Sequence, residues 1–171
     1  MPRLHSLELL PDDEGQEAVR AQWQALADAG LPSQLDHRGA TNAPHVSVVE
    51  AEALPDAALD VARARLGGLL PVTALVGGVL LLGEGRVTLA RPVQLADDVV
   101  RRVLAVRVQV PERRHLGWVP HLTLARRLER ADVPRALEVL AGLDADRDAS
   151  LELRLTALRR WDPDAGEVHD L

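Results

Sequence analysis

The chain has 171 residues and contains no cysteine, no tyrosine and no phenylalanine, and all 20 of its basic residues are arginine. The lack of cysteine excludes disulfides, thiolate nucleophiles and cysteine-ligated zinc sites. The lack of lysine excludes a Schiff base, a lysyl–nucleotide intermediate and a P-loop phosphate contact. The lack of tyrosine excludes a tyrosyl–phosphate intermediate. Several classes of covalent catalysis are therefore excluded for this chain.

The chain also has no segment typical of a secretory signal or a membrane span. Acidic residues follow the first strand-like residues, which is not the pattern of a signal peptide. The longest uncharged run, residues 66–83, is broken by Pro71 and by glycines, so it is typical of buried strand. With 47% hydrophobic residues, the sequence predicts one domain over residues 1–171, in a soluble cytoplasmic protein.

One short motif occurs twice. Residues Pro44-His45-Val46-Ser47-Val48 recur in chemical type as Pro120-His121-Leu122-Thr123-Leu124. Alternating apolar and polar residues predict a half-buried strand in each copy. Because residues i and i+2 of a strand share a face, the histidine and the hydroxyl residue of each copy project together. The sequence thus carries two copies of a proton carrier beside a hydroxyl group.

The order of the surrounding elements repeats as well. Each motif is followed by a helical pattern, an apolar strand-like run and a turn, and the turns lie at residues 83–85 and 162–166. Two copies of strand, helix and hairpin predict a bilobal α+β fold. We expect two pseudo-symmetric lobes of mostly antiparallel sheet, with helices packed outside and a central cleft between the lobes.

Hydrophobic periodicity and turn residues predict four helices and eight strands. The helices are expected over residues 12–29, 55–66, 95–107 and 133–143. Besides the two motifs, strands are expected over residues 4–10, 72–76, 79–82, 87–90, 151–155 and 168–171.

Positive charge is concentrated around the second motif. Residues 101–135 contain nine arginines and three acidic residues, whereas the rest of the chain contains 11 arginines and 23 acidic residues. The pattern favours an anionic ligand near the second motif. It does not favour a DNA duplex, because the chain as a whole carries a net charge of −6 and repels a long polyanion.

Two histidines and two hydroxyl groups are suited to phosphodiester chemistry. One imidazole can activate a nucleophile while the other protonates the leaving oxygen, and hydroxyl groups can donate to oxygens on which charge develops. Ester or amide chemistry is less suited, because the chain has no Gly-x-Ser-x-Gly segment. A zinc site is also disfavoured, because no close third ligand accompanies His45 and His121.

At these residues the chain resembles the two-histidine (2H) phosphoesterases, in particular the 2′-5′ RNA ligase-like and cyclic phosphodiesterase group. The family's two His-x-(Thr/Ser)-x motifs are matched by His45-Val46-Ser47-Val48 and His121-Leu122-Thr123-Leu124. The resemblance implies the bilobal α+β fold with both motifs in the cleft, and it implies no metal and no cofactor. It makes His45 the general acid, His121 the general base, and Ser47 and Thr123 phosphate ligands. We also expect Trp118 and Arg126 near the second motif to contact substrate.

Two departures from the family bear on the substrate. Ser47 stands where threonine is commoner, which keeps the hydroxyl group but loosens its rotamer. Family members often stack the base on an aromatic side chain, and Trp118 is the single aromatic residue near a motif; core packing is the alternative role for it.

The other four histidines are expected to be structural or solvated, and the loop of one of them, His37, borders the expected cleft.

The sequence therefore predicts a metal-independent hydrolase that opens 2′,3′-cyclic phosphates or cleaves 2′-5′ phosphodiesters of small nucleotides or RNA ends. One alternative is a reversible 2′-5′ RNA ligase. The other is a catalytically silent module that binds nucleotides or RNA ends. We expect a monomer that contacts no membrane.

Overall fold

The computed structural model of the chain describes residues 3–39, 41–145 and 150–171. These ranges contain four α-helices and eight β-strands, which confirms the predicted α+β class. The helices are α1 (Asp13–Asp28), α2 (Asp56–Arg65), α3 (Asp97–Arg107) and α4 (Val133–Ala145). The strands are β1 (His5–Pro11), β2 (Val46–Ala51), β3 (Val72–Val76), β4 (Leu80–Leu82), β5 (Val87–Leu95), β6 (His121–Leu128), β7 (Glu152–Asp162) and β8 (Glu167–Asp170).

All eight strands join one antiparallel sheet. The strand order is β1-β2-β6-β5-β3-β7-β8, with β4 paired to β5, and β1 also pairs with β7. Strand β7 makes two sets of pairings, because its first residues lie beside β3 and its later residues lie beside β1. The pairings therefore form a closed circuit. The division into two pseudo-symmetric lobes and the single domain over residues 1–171 stay predictions.

The first helix shows how local chemistry sets an element's position. The Asp12 side chain accepts a hydrogen bond of 2.9 Å from the backbone N–H of Gly15, which caps the start of α1. Val19, Trp23 and Leu26 follow at helical spacing and are almost completely buried against the sheet. The capping residue and the apolar stripe agree with the helix expected from the sequence. None of the helices in the described ranges is long and apolar enough to span a membrane.

Some of the predicted boundaries were wrong. Strand β5 continues to Leu95, although the prediction ended it at Ala90, before Arg91 and Pro92. Helix α3 consequently begins at Asp97, where two acidic residues occupy its first turn. Strand β7 runs to Asp162, well past the predicted end at residue 155. In β5 and β7 the strand continues because of pairing with neighbours that are distant in sequence, and local propensity does not contain this information.

The two motif strands lie side by side. Val46 at the start of β2 pairs with Leu122 in β6, and both side chains are buried. The two strands begin at different positions of the motif. His45 is the residue before β2, whereas His121 is the first residue of β6. The fold therefore brings two segments that are far apart in sequence into direct contact.

Candidate active site

Both motifs have the alternating burial that the sequence predicted. The apolar residues Val46, Val48, Leu122 and Leu124 are buried in the core. The histidine and the hydroxyl residue of each motif are half-buried. In a strand these two sets point to opposite faces, so all four polar side chains share the face away from the core.

The pairing of the strands orders these four side chains. Because β2 and β6 are antiparallel and Val46 lies opposite Leu122, the register places His45 opposite Thr123 and Ser47 opposite His121. Each imidazole thus neighbours the hydroxyl residue of the other motif. The arrangement has approximate twofold symmetry and combines two proton carriers with two hydroxyl donors.

The two imidazoles are held in the same way. His45 Nδ1 lies 2.8 Å from the carbonyl oxygen of Ala43, and His121 Nδ1 lies 2.6 Å from the carbonyl oxygen of Val119. A carbonyl oxygen only accepts hydrogen bonds, so each Nδ1 is the donor and carries the proton. Each Nε2 is therefore the atom that can gain or lose a proton during a reaction.

Two tryptophans donate hydrogen bonds to the backbone of the motif strands. The indole N–H of Trp118 donates to the carbonyl of Ser47 at 2.9 Å, and that of Trp23 donates to the carbonyl of Thr123 at 3.0 Å. Trp118 is half-buried and packs against the core, whereas Trp23 is buried within it. Trp118 thus contacts the backbone of the first motif. The substrate contact predicted for it stays a prediction.

A buried ion pair lies beside His45. The Glu8 carboxylate is 4% exposed; it accepts a hydrogen bond of 2.7 Å from Arg159 Nε and one of 2.6 Å from Ser6 Oγ. Its Oε1 atom lies 3.7 Å from His45 Nε2. Burial acts to raise the pKa of Glu8, but the charges of His45 and Arg159 and the hydrogen bonds from Ser6 and Arg159 outweigh it and lower the pKa below its usual value. Glu8 is therefore ionised wherever histidine titrates.

Sequence reasoning missed Glu8 and Arg159. Each lies in a strand that has no motif, and they are separated by 151 residues. The available signal was a charged residue at a position of β1 where alternation and the neighbouring leucines indicate a buried strand. Nothing in the sequence alone pairs that residue with a particular arginine.

A cavity of about 890 Å³ opens beside His45 and Glu8. Its other walls include Arg126 and Arg127 from β6, Trp161 from β7, and His37, whose loop was expected to border the cleft. Ser47, Trp118, His121 and Thr123 are not among the described residues that line it. The cavity therefore extends from the first motif, away from the second.

Two irregularities in β6 bring Arg126 to this cavity. In a regular strand Arg126 faces away from Thr123, three positions earlier. The pairing of β6 with β5 shifts register twice, between Val87 and Leu89 and between Leu89 and Ala90. Arg127 has a φ of 59°, in the left-handed region that side-chain-bearing residues rarely adopt. As a result Arg126 and Arg127 are both exposed, and both line the cavity.

The loop before the second motif is tied to the first motif by Arg107. This side chain is 5% exposed, and it donates to the carbonyl of Val48 at 2.7 Å. It also donates to the carbonyls of His115 and Gly117, both at 2.6 Å. One guanidinium group thus fixes the path of the loop that ends at Trp118 and His121. Sequence reasoning placed Arg107 in a helix and did not assign this contact.

One group of potential metal ligands occurs among the described residues. Potential ligand atoms of His5, Asp162 and Asp164 all lie within 4.8 Å of one another. Arg160 donates to Asp162 at 3.1 Å and lies 3.5 Å from His5 Nδ1, so its positive charge already occupies the group and repels a cation. Neither His45 nor His121 belongs to this group, and we assign no metal to it.

Comparison with known proteins identifies the family and supports the fold. A family model described as the 2′-5′ RNA ligase superfamily matches residues 11–167. The chain belongs to this superfamily. The structure of Kluyveromyces marxianus Usb1 is similar over 99% of this chain and 98% of that chain, with a TM-score of 0.55 and 18% sequence identity. The structure of Kluyveromyces marxianus Usb1 with uridine monophosphate matches with the same coverage, a TM-score of 0.49 and 16% identity. No curated protein matches the chain.

Membership of the superfamily confirms the resemblance to two-histidine phosphoesterases. Members of the superfamily are phosphoesterases or ligases. At 18% identity, the likeness to Usb1 shows the fold alone. The roles of individual site residues, the monomeric state and the cytoplasmic location stay predictions.

Proposed function

We propose that this protein is a phosphoesterase that opens 2′,3′-cyclic phosphates, or cleaves 2′-5′ phosphodiesters, on small nucleotides or RNA ends. The observation that carries the proposal is the matched presentation of two imidazoles on adjacent strands. Each Nδ1 donates to the carbonyl two residues before it, each Nε2 is left as the reactive atom, and each imidazole neighbours the other motif's hydroxyl residue.

The proposed reaction is an in-line displacement at phosphorus. His121 Nε2 accepts a proton from water as the water oxygen bonds to phosphorus. His45 Nε2 gives its proton to the ribose oxygen as the phosphorus–oxygen bond breaks. The hydroxyl groups of Ser47 and Thr123 donate to the phosphate oxygens on which charge develops. Arg126 and Trp118 are the further proposed contacts to substrate, and no metal or cofactor takes part.

The Glu8 carboxylate supports this division of roles. It is ionised and lies 3.7 Å from His45 Nε2. A nearby negative charge favours the imidazolium over the neutral ring. A general acid must enter the reaction with its proton, so His45 is the better placed of the two for that role.

Ligation is the same displacement with a ribose hydroxyl in place of water, so the histidines alone do not distinguish the two reactions. Joining two RNA ends requires basic surface for both of them. The arginine excess is confined to residues 101–135, and the rest of the chain carries more than twice as many acidic residues as arginines. This distribution favours hydrolysis. A silent binding module is disfavoured because both histidines are intact.

The deciding experiment offers two substrates in parallel: a free 2′,3′-cyclic nucleotide, and RNA halves with 2′,3′-cyclic phosphate and 5′-hydroxyl ends. We expect ring opening of the cyclic nucleotide, with a rate maximum between about pH 5 and 8 and no effect of EDTA. Efficient 2′-5′ joining with negligible ring opening would establish the ligase instead. Binding without turnover of either substrate would establish the silent module, and loss of activity in EDTA would restore a metal mechanism.

A further inference from the structure

Arg126 and Arg127 are consecutive residues whose side chains line the same cavity. A regular strand sends consecutive side chains to opposite faces, so this arrangement depends on the left-handed conformation of Arg127. Within the described ranges, neither guanidinium group has a hydrogen bond or an ion pair. Strand β6 therefore presents to the cavity beside His45 two cations that have no partner among the described residues.

The acidic groups around the cavity are already engaged. Glu8 is bonded to Arg159. Glu50 lies 3.3 Å from Arg114, and the Asp36 side chain accepts a hydrogen bond from the backbone N–H of Ser33. The remaining charged residues of the lining are Arg126 and Arg127, and its two histidines are His37 and His45. Among the described wall residues, the two arginines therefore have no carboxylate partner, and they are available to an anionic ligand.

The two arginines are not among the residues that bind the reacting phosphate in the proposed reaction. In the proposed reaction that phosphate lies at the two Nε2 atoms and the two hydroxyl groups. Ser47, His121 and Thr123 are not among the described residues that line the cavity. The cavity volume of about 890 Å³ is in the range of sites that hold whole small molecules. It therefore has room for a further part of the substrate beyond the reacting group.

We propose that Arg126 and Arg127 bind a second phosphate group of the substrate, next to the phosphate that reacts between His45 and His121. This inference rests on the proposed function and narrows its substrate class. A guanidinium group matches phosphate oxygens with paired N–H donors, which makes arginine well suited to this contact. The second phosphate is either the neighbouring phosphodiester of an RNA end or a terminal phosphate of a small nucleotide.

The test compares kcat/KM for three substrates. They are a 2′,3′-cyclic mononucleotide, the same nucleotide with a 5′-phosphate, and a dinucleotide with an internal phosphodiester and a terminal 2′,3′-cyclic phosphate. We expect kcat/KM to be about tenfold or more higher for at least one substrate with a second phosphate, the scale of a charged hydrogen bond. A gain confined to the dinucleotide identifies RNA ends. A gain also seen with the 5′-phosphate identifies a terminal phosphate.

The key variant is Arg127→Gly. Glycine adopts a positive φ readily, so this substitution removes the guanidinium group while the backbone keeps its conformation. Arg126→Gln removes the other cation. We expect each variant to lower the preference for a second phosphate, and the double variant to lower it most. The matched control is Arg135→Gln, which removes an exposed arginine of α4 from the same basic segment and should leave the preference unchanged.

Failure of this inference is distinguishable from failure of the proposed function. If the plain cyclic nucleotide is opened but a second phosphate gives no gain, or if Arg127→Gly behaves like Arg135→Gln, the inference is wrong and the function stands. If no substrate is turned over, calorimetric binding of a nucleoside 3′-phosphate and a nucleoside 3′,5′-bisphosphate still tests it. A bisphosphate preference that disappears in Arg127→Gly supports the inference, and one that persists or is absent from the wild type overturns it.

Discussion

In both motifs the imidazole Nδ1 donates to the carbonyl two residues before it, and a tryptophan indole donates to the carbonyl of the hydroxyl residue. The surroundings of the two imidazoles differ, however. His45 faces the buried Glu8 carboxylate, whereas no described acidic side chain forms an ion pair with His121. The repeat presents two equivalent imidazoles, and residues outside the repeat distinguish them. If His45 is the acid and His121 the base, as we propose, nearby charge and not local geometry separates the two roles.

The most direct way to test the equivalence of the motifs is to remove each histidine in turn. We expect His45→Ala and His121→Ala each to lower the turnover of a 2′,3′-cyclic nucleotide by about 10²-fold or more, because each variant lacks one proton carrier. The double variant should lose much less than the product of the two single losses, since groups that act as a unit are not additive. His169→Ala, an exposed histidine of β8, is the matched control. Near-normal turnover in either single variant would remove that histidine from the mechanism.

The geometry of the motifs could be predicted from the sequence because it is local. Alternation of apolar and polar residues determines which side chains face the core, and it placed His45 and Ser47 on one face. The contact between the motifs depends on the pairing of Val46 with Leu122, which the repeat suggested only as two lobes facing a cleft. The environment of His45 was not predictable. It depends on β1 and β7 lying next to each other, and no local pattern in either strand specifies its neighbour.

The position of Arg126 illustrates the same limit. A regular strand predicts that it faces away from Thr123, and residues 121–128 contain no glycine or proline to mark the departure. The structure shows two shifts of register and a left-handed Arg127 in its place. Bulges arise from how a strand matches its partner, so they are decided by β5 and β6 together. The family resemblance pointed to Arg126 where the pattern of the strand did not.

The difference between the motifs predicts different responses to pH. Glu8→Gln keeps the size of the side chain but removes the charge beside His45 and replaces one of the two acceptor oxygens with an NH2 group. If His45 is the acid, the alkaline limb of the pH–rate profile should move to lower pH, because the imidazolium loses a stabilising charge. We expect the rate loss to be larger near pH 8 than near pH 6.

The outcome also assigns the roles. A shift of the acidic limb instead would make His45 the base and reverse the proposed mechanism. Ser6→Ala is the matched control, because it removes one hydrogen bond to Glu8 and leaves the carboxylate and Arg159 in place. Unfolding by urea should be measured for both variants, because Glu8→Gln also leaves the buried Arg159 without its counter-charge. A rate loss that is equal at every pH would indicate a structural effect alone.

The last expected difference concerns stability and lies where the motifs are most alike, at the two tryptophans. Trp23→Phe and Trp118→Phe each keep an aromatic ring and remove the indole N–H that reaches a motif carbonyl. The carbonyl of Thr123 should then lose its indole donor in the core, at a cost of about 1–3 kcal/mol in the free energy of unfolding. Trp118 is half-buried, so water can replace its N–H at the Ser47 carbonyl, and the cost should stay below about 1 kcal/mol. Urea unfolding followed by circular dichroism measures both values, and equal losses would show that exposure does not separate the two supports.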